Sequence, residues 1–180
     1  MRPEAVIPEK PCTPFPILCS SKVICGFGRG SSELGIPTAN VPVEEALNKL
    51  DTGIYFGWCQ LTPETGKESE YIKSEVGKEI HFNYGHKLHD RDSTVLPMVM
   101  SLGWNPFYKN DQKAAEVHIM HQFSDNFYGA NIRFVILGYI RPELNYTTKE
   151  ALIDDIHTDI KIAQETLQKP GYDKSLLCPL

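Results

Sequence analysis

Gly53-Ile-Tyr-Phe-Gly-Trp-Cys59 and Ile132-Arg-Phe-Val-Ile-Leu-Gly-Tyr139 are the stretches that decide the fold class. Both are dense in aromatic and β-branched residues, which pack well on a pleated, half-buried surface. Both are bounded by turn-forming residues, so they predict strands at about 53–61 and 131–140. The same criteria predict further strands at about 20–27, 79–84, 96–102 and 115–123. No helical pattern alternates with them, which argues against a parallel sheet built from strand–helix–strand units. A mostly antiparallel sheet or small barrel is expected.

The C-terminal region has a different period. Thr147-Thr-Lys-Glu150 has the Thr-x-x-Glu pattern of a capping box. Beyond it, Leu152, Ile156, Ile160, Ala163 and Leu167 recur every three or four residues, the spacing of one apolar helical stripe. Pro170-Gly171 supplies the stop. A long terminal helix is therefore expected to lay this stripe on the barrel. Residues 1–18 read as an extended, proline-rich arm, and 19–180 as a single domain. Residues 62–95 are rich in Glu, Lys, Asp and Ser around a short Ile80-His-Phe-Asn-Tyr84 patch. They read as a solvated excursion with room for one strand.

A chain of 180 residues with 41% hydrophobic content can bury a sizeable core. Its net charge of −5 argues against a general affinity for nucleic acid, so a polyphosphate site must be built locally. The five cysteines (Cys12, Cys19, Cys25, Cys59 and Cys178) lack CxxC spacing, the pattern of reduced thiols in an intracellular protein. No signal peptide is recognisable, and no apolar run approaches eighteen residues, so neither secretion nor a membrane span is expected.

Gly26-Phe-Gly-Arg-Gly-Ser-Ser-Glu-Leu-Gly-Ile-Pro-Thr-Ala-Asn40 reads as a phosphate-and-metal loop. Gly26, Gly28, Gly30 and Gly35 allow tight bends and close approach of the backbone to a ligand. Arg29, Ser31 and Ser32 offer donors to phosphate oxygens. Thr38 and Asn40 add neutral oxygen ligands of the kind Mg²⁺ accepts beside phosphates. Neither common phosphate loop is present. Ile36-Pro37 stands where a Walker A loop has Lys-Ser/Thr, and Ser31 stands where a dinucleotide fingerprint needs glycine. The alternative is a glycine-rich hairpin with no ligand.

Glu116 lies in Ala115-Glu-Val-His-Ile-Met-His-Gln-Phe123, where strand alternation puts Glu116, His118, Met120 and Gln122 on one face. A carboxylate facing a pocket could accept a substrate proton; the alternative is a solvent-facing glutamate. His118 and His121 point to opposite faces of a regular strand and cannot readily share one metal ion. Gly103-Trp-Asn-Pro-Phe-Tyr108 and Asp125-Asn-Phe-Tyr-Gly129 are aromatic turns that either cover a barrel end or hold a planar heterocycle. Arg141-Pro-Glu-Leu-Asn145 joins the last strand to the helix, where a loop can cover a site.

Together with Gly138-Tyr-Ile-Arg-Pro-Glu-Leu-Asn145, these segments closely resemble riboflavin kinases of the eukaryotic, single-function type, the fungal form above all. The resemblance runs from about residue 22 to 168. It implies a six-stranded antiparallel Greek-key barrel with a long C-terminal helix. It also implies transfer of the γ-phosphoryl group of ATP to the ribityl 5′-hydroxyl of riboflavin, giving FMN. By the resemblance, Thr38 and Asn40 contact the nucleotide-bound metal and Glu116 is the catalytic carboxylate. Gly26, Arg29, Gly30, Ser31 and Ser32 close over the phosphates, and Ile119, His121 and Tyr128 lie near the nucleotide. Arg141, Glu143 and Leu144 belong to a flap that contacts the flavin. The implied metal is Mg²⁺, with Zn²⁺ or Mn²⁺ as alternatives.

Two departures stand out. Ser32 occupies a position where some relatives carry lysine, and the 62–95 excursion is longer than in compact members. For Glu116 and His121 to serve one site, a bulge or an end-of-strand twist is required. A bifunctional enzyme that also makes FAD is disfavoured by chain length and by Tyr84-Gly-His86, which lacks a His-x-Gly-His signature. A flavin carrier would not need Thr38, Asn40 and Glu116 together, and an oligonucleotide-binding barrel lacks its basic face. The partners expected are riboflavin and ATP, for a monomer inside the cell, in the cytoplasm or with an organelle.

Overall fold

A computed structural model describes residues 2–25, 38–74, 77–104 and 112–177. Its strands are β1 (Ile17–Lys22), β2 (Thr38–Val41), β3 (Gly53–Thr62), β4 (Glu70–Lys73), β5 (Glu79–Phe82), β6 (Leu96–Trp104), β7 (Lys113–Ile119) and β8 (Asn131–Arg141). A single turn, α1 (Glu45–Asn48), links β2 to β3, and α2 (Lys149–Leu167) is the long terminal helix.

Six strands form one antiparallel sheet in the order β1-β8-β3-β6-β7-β2. β3, β6 and β7 make a meander and β8 returns to the free side of β3, which is the strand order of a Greek key. The sheet curls until its ends meet. Beyond β1, the Ile24 N–H donates to the Asn40 carbonyl at 2.9 Å and bridges to β2. The polar excursion holds a separate hairpin of β4 and β5, one strand more than its apolar patch predicted.

Alternation along the strands divides two apolar layers. Tyr55, Leu61, Met98, Met100, Leu102, Val117, Ile119, Phe134 and Ile136 fill the barrel interior. Phe56, Val99, Val135, Leu137 and Ile140 point outward and are covered by Ala163 and Leu167 of α2 with Tyr172 and Leu177 of the tail. Full burial stabilises each such large side chain by about 1.5–3 kcal/mol. Two register shifts between β3 and β8, at Ile54/Tyr55 and Phe56/Gly57, disturb the alternation. The second is tight, because a Cβ on Gly57 would overlap the Val135 carbonyl oxygen.

Several boundaries differ from the sequence expectation. β1 lies at Ile17–Lys22 rather than 20–27, whose last two residues lie outside the described ones. β2 follows directly on Pro37 and is too short to leave a periodic signal. β7 ends at Ile119 instead of running to 123, because the Met120 N–H donates to Pro97 and the His121 N–H folds back to the Ile119 carbonyl at 2.9 Å. The cap of α2 is Thr148, not Thr147: its hydroxyl accepts from the Ala151 N–H at 3.1 Å. The buried face of α2 also includes Asp159 and Thr166, so the stripe is not purely apolar. Thr166 satisfies its hydroxyl on the Ile162 carbonyl at 2.8 Å.

Candidate active site

The register brings the sequence-predicted oxygen donors and carboxylate together. Asn40 on β2 pairs with Glu116 on β7, and Glu116 pairs in turn with Ser101 on β6. Ser101 pairs with Ile54 on β3, and Ile54 with Arg141 at the end of β8. A parallel row runs Thr38, His118, Val99 and Phe56. Directly opposed residues of antiparallel strands share a face, with Cβ atoms about 4.5–5.5 Å apart. Ala115, Val117 and Ile119 belong to the interior, so Glu116 and His118 face outward, on the side that α2 covers. Thr38, Asn40 and Glu116 therefore occupy adjacent positions on the outer face of two neighbouring strands.

Burial shapes the chemistry of this face. It pushes the Glu116 carboxyl above its usual range. A carboxylate displaced in that direction holds a proton more readily, which suits a general base. His118 is 7% exposed, and its Nδ1 is buried without a hydrogen-bond partner. Burial pushes its imidazole down to about 4, so it is neutral at neutral pH. Thr38 and Asn40 bring neutral oxygens, and Glu116 an anionic one. That donor set fits a hard cation such as Mg²⁺ arriving with a nucleotide's phosphates.

Ile119, His121 and Tyr128 lie apart from that row. Ile119 is an interior residue, and Phe123 and Tyr128 pack against the same interior cluster. The turn after β7 sets the His121 ring 4.7 Å from Phe123 and its Nε2 2.7 Å from the Asp92 carboxylate. Burial pushes Asp92 up, but hydrogen bonds from His121 and the His89 backbone outweigh it and hold the carboxyl below its usual range. Ile119 and Tyr128 thus belong to the interior layer, opposite the face that carries Glu116, while His121 lies beyond the end of β7.

Arg141 is buried and fixed. Its Nε donates to Asp159 at 2.9 Å (Oδ1) and 3.1 Å (Oδ2), and its Nη2 to Oδ2 at 2.8 Å. Glu143 rests against Gly103 of β6, where any side chain would collide with its carboxylate. Burial raises the Glu143 carboxyl, with Arg141 opposing. Leu144 is half-buried. Gly26, Arg29, Gly30, Ser31 and Ser32 lie outside the described residues, as does most of the aromatic turn after Trp104.

Sequence reasoning missed Ser101 and Asp159. Asp159 did leave a signal, a charge among Ile156, Ile160 and Ala163 on the stripe facing the sheet. Ser101 left none, because only register places it beside Glu116.

The Flavokinase family (riboflavin kinase) matches residues 13–167. The chain belongs to the riboflavin kinase family. A riboflavin kinase of Scheffersomyces stipitis is 61% identical over 171 residues, covering 95% of this chain and 96% of that one. A riboflavin kinase of Saccharomyces cerevisiae is 51% identical, covering 92% of this chain and 79% of that one. Among solved structures, riboflavin kinase from Trypanosoma brucei aligns with a TM-score of 0.62 over 93% of this chain and 89% of that one. At 23% identity that likeness speaks for the fold of the family, a barrel with one long helix. Among the described residues, no helix is long and apolar enough to cross a membrane.

Proposed function

We propose that this chain phosphorylates riboflavin to FMN at the expense of ATP, with Glu116 as the base. The observation that carries the residue assignment is the cross-strand pairing of Asn40 with Glu116, with Thr38 in the next row. In the reaction, the ribityl 5′-hydroxyl oxygen forms a bond to the γ-phosphorus. The bond from that phosphorus to the β–γ bridging oxygen breaks, ADP leaves, and the hydroxyl proton passes to a Glu116 carboxylate oxygen.

Such transfers are catalysed chiefly by positioning and electrostatics. Thr38 and Asn40 would hold the Mg²⁺ that accompanies ATP. When bound, that ion neutralises charge on the transferring group. Gly26, Arg29, Gly30, Ser31 and Ser32 would cradle phosphate oxygens. Ile119, His121 and Tyr128 would lie toward the nucleotide. Arg141, Glu143 and Leu144 would border the flavin, a reading supported by the row that joins Arg141 to Glu116 across the sheet. The proposed enzyme acts as a monomer, and the cysteine pattern supports an intracellular setting.

The test is incubation with riboflavin, ATP and Mg²⁺, followed by chromatographic separation of flavins and nucleotides. FMN appearing with equimolar ADP is expected. Glu116→Gln should lower turnover on the order of 10²–10⁴-fold while nucleotide affinity is kept. Riboflavin bound but unchanged would favour a carrier and remove the catalytic assignments.

A further inference from the structure

The N-terminal arm is docked against the layer where the helix and tail meet the sheet. Ala5 and Ile7 pack against the outer apolar layer, and the Tyr172 hydroxyl donates to the Pro8 carbonyl at 2.7 Å. Glu9 and Lys10 lie so close over Gly171 that a Cβ there would overlap the Glu9 carbonyl oxygen. Held this way, the arm delivers Arg2 to α2. The Arg2 Nη2 donates to Asp159 Oδ1 at 2.8 Å, and its Nη1 to the Asp155 carbonyl at 3.2 Å with Asp155 Oδ1 at 3.5 Å.

Those two aspartates are one helical turn apart, and each holds one end of the segment between β8 and α2. Asp159 receives Arg141, which also donates Nη1 to the Pro142 carbonyl at 3.2 Å. Asp155 Oδ2 receives the Tyr146 hydroxyl at 2.7 Å, and the Arg141 guanidinium lies 5.8 Å from the centre of the Tyr146 ring. The cluster balances two aspartates against Arg2 and Arg141. Without Arg2, two neighbouring carboxylates would share Arg141 alone.

We infer that Arg2 is a positioning residue for the flavin side of the site, acting through Asp155 and Asp159 to hold the segment Pro142–Tyr146 over the outer sheet face. The inference rests on the proposed reading that this segment borders the flavin. Arg2 touches neither substrate. Its contribution is to keep the two carboxylates neutralised and in place, so that Arg141 and Tyr146 are fixed before the flavin arrives. Order installed beforehand need not be purchased from binding.

The experiment compares Arg2→Ala and Arg2→Lys in the full chain. It reads KM for each substrate, riboflavin affinity by flavin fluorescence, and amide exchange across 143–148. For Arg2→Ala, KM for riboflavin should rise about tenfold, the scale of a lost charge-assisted hydrogen bond. KM for ATP and kcat should stay within about twofold, since uniform flavin binding is what is lost. Amides between 143 and 148 should exchange faster, and Arg2→Lys should recover part of both effects. Equal rises in both KM values would indicate a merely structural arm and overturn the inference. Unchanged exchange at 143–148 would overturn it whatever the turnover. Absence of FMN from the unmodified protein would instead overturn the functional reading.

Discussion

Replacing Asp159 by alanine tests whether the helix is held to the sheet by charge as well as by apolar contact. Asp159 is 1% exposed and Arg141 3%, and three of the guanidinium contacts end on that one carboxylate. Alanine would leave Arg141 buried with the Pro142 carbonyl as its acceptor among the described residues, and would also release Arg2 from that carboxylate. Removing one partner of a buried pair typically costs about 3–5 kcal/mol, because the other charge stays desolvated. For a chain of this length, that corresponds to a fall in Tm of roughly 6–20 °C. Urea unfolding followed by tryptophan fluorescence is a suitable assay. Trp58 donates its indole N–H to the Tyr172 carbonyl at 2.8 Å and so reports on the packed tail. The double variant Arg141→Met with Asp159→Leu should lose less than Asp159→Leu alone, since the buried guanidinium is no longer left stranded. A loss below about 1 kcal/mol for Asp159→Ala would match an exposed pair and refute the argument from burial.

Three other outcomes follow from the site and the barrel. Asn40→Ala should raise the Mg²⁺ concentration needed for half-maximal turnover, and an unchanged metal profile would count against its assignment as a ligand. Gly57→Ala forces a Cβ into the β8 backbone, with Val135 C at 2.9 Å and Ile136 Cα at 3.3 Å, so neither neighbour can rotate away. It should cost about 1–3 kcal/mol or more in chemical unfolding. His118 titrates near 4 when folded against an ordinary 6.5, so the unfolded chain takes up its proton first as the pH falls. Its contribution is complete above about pH 6.5 and diminishes toward pH 4, where the loss reaches about 3 kcal/mol. Unfolding measured at several pH values should show that slope, and His118→Leu should flatten it.

The strands with the densest apolar content were legible because composition alone marks a pleated surface buried on both sides, as in Tyr55 on the inner face and Phe56 on the outer. Short β2 was not, since four residues carry almost no periodicity and its place depends on pairing with β7. Candidate site residues on β2 and β7 were legible as residue types, but their adjacency was not. Whether Asn40 faces Glu116 or its neighbour is a matter of register, and a slip of one residue would turn the whole row to the other face. The end of β7 was overread because Gln122 and Phe123 prolong an alternating pattern that the hydrogen bond from His121 to Ile119 cuts short. Arg2 was invisible for another reason. Its partners lie more than a hundred and fifty positions away in sequence.

Asn40 belongs to the seam of the barrel as well as to the proposed site. Its carbonyl accepts the Ile24 N–H that joins the two ends of the sheet, while its side chain lies in the row with Glu116. Local opening of the seam would therefore displace the proposed metal donor, and its occupation, as proposed, would tighten the seam by linkage. The Ile24 amide becomes a reporter: its exchange rate reads out, from the backbone, how firmly the site across the strand is engaged.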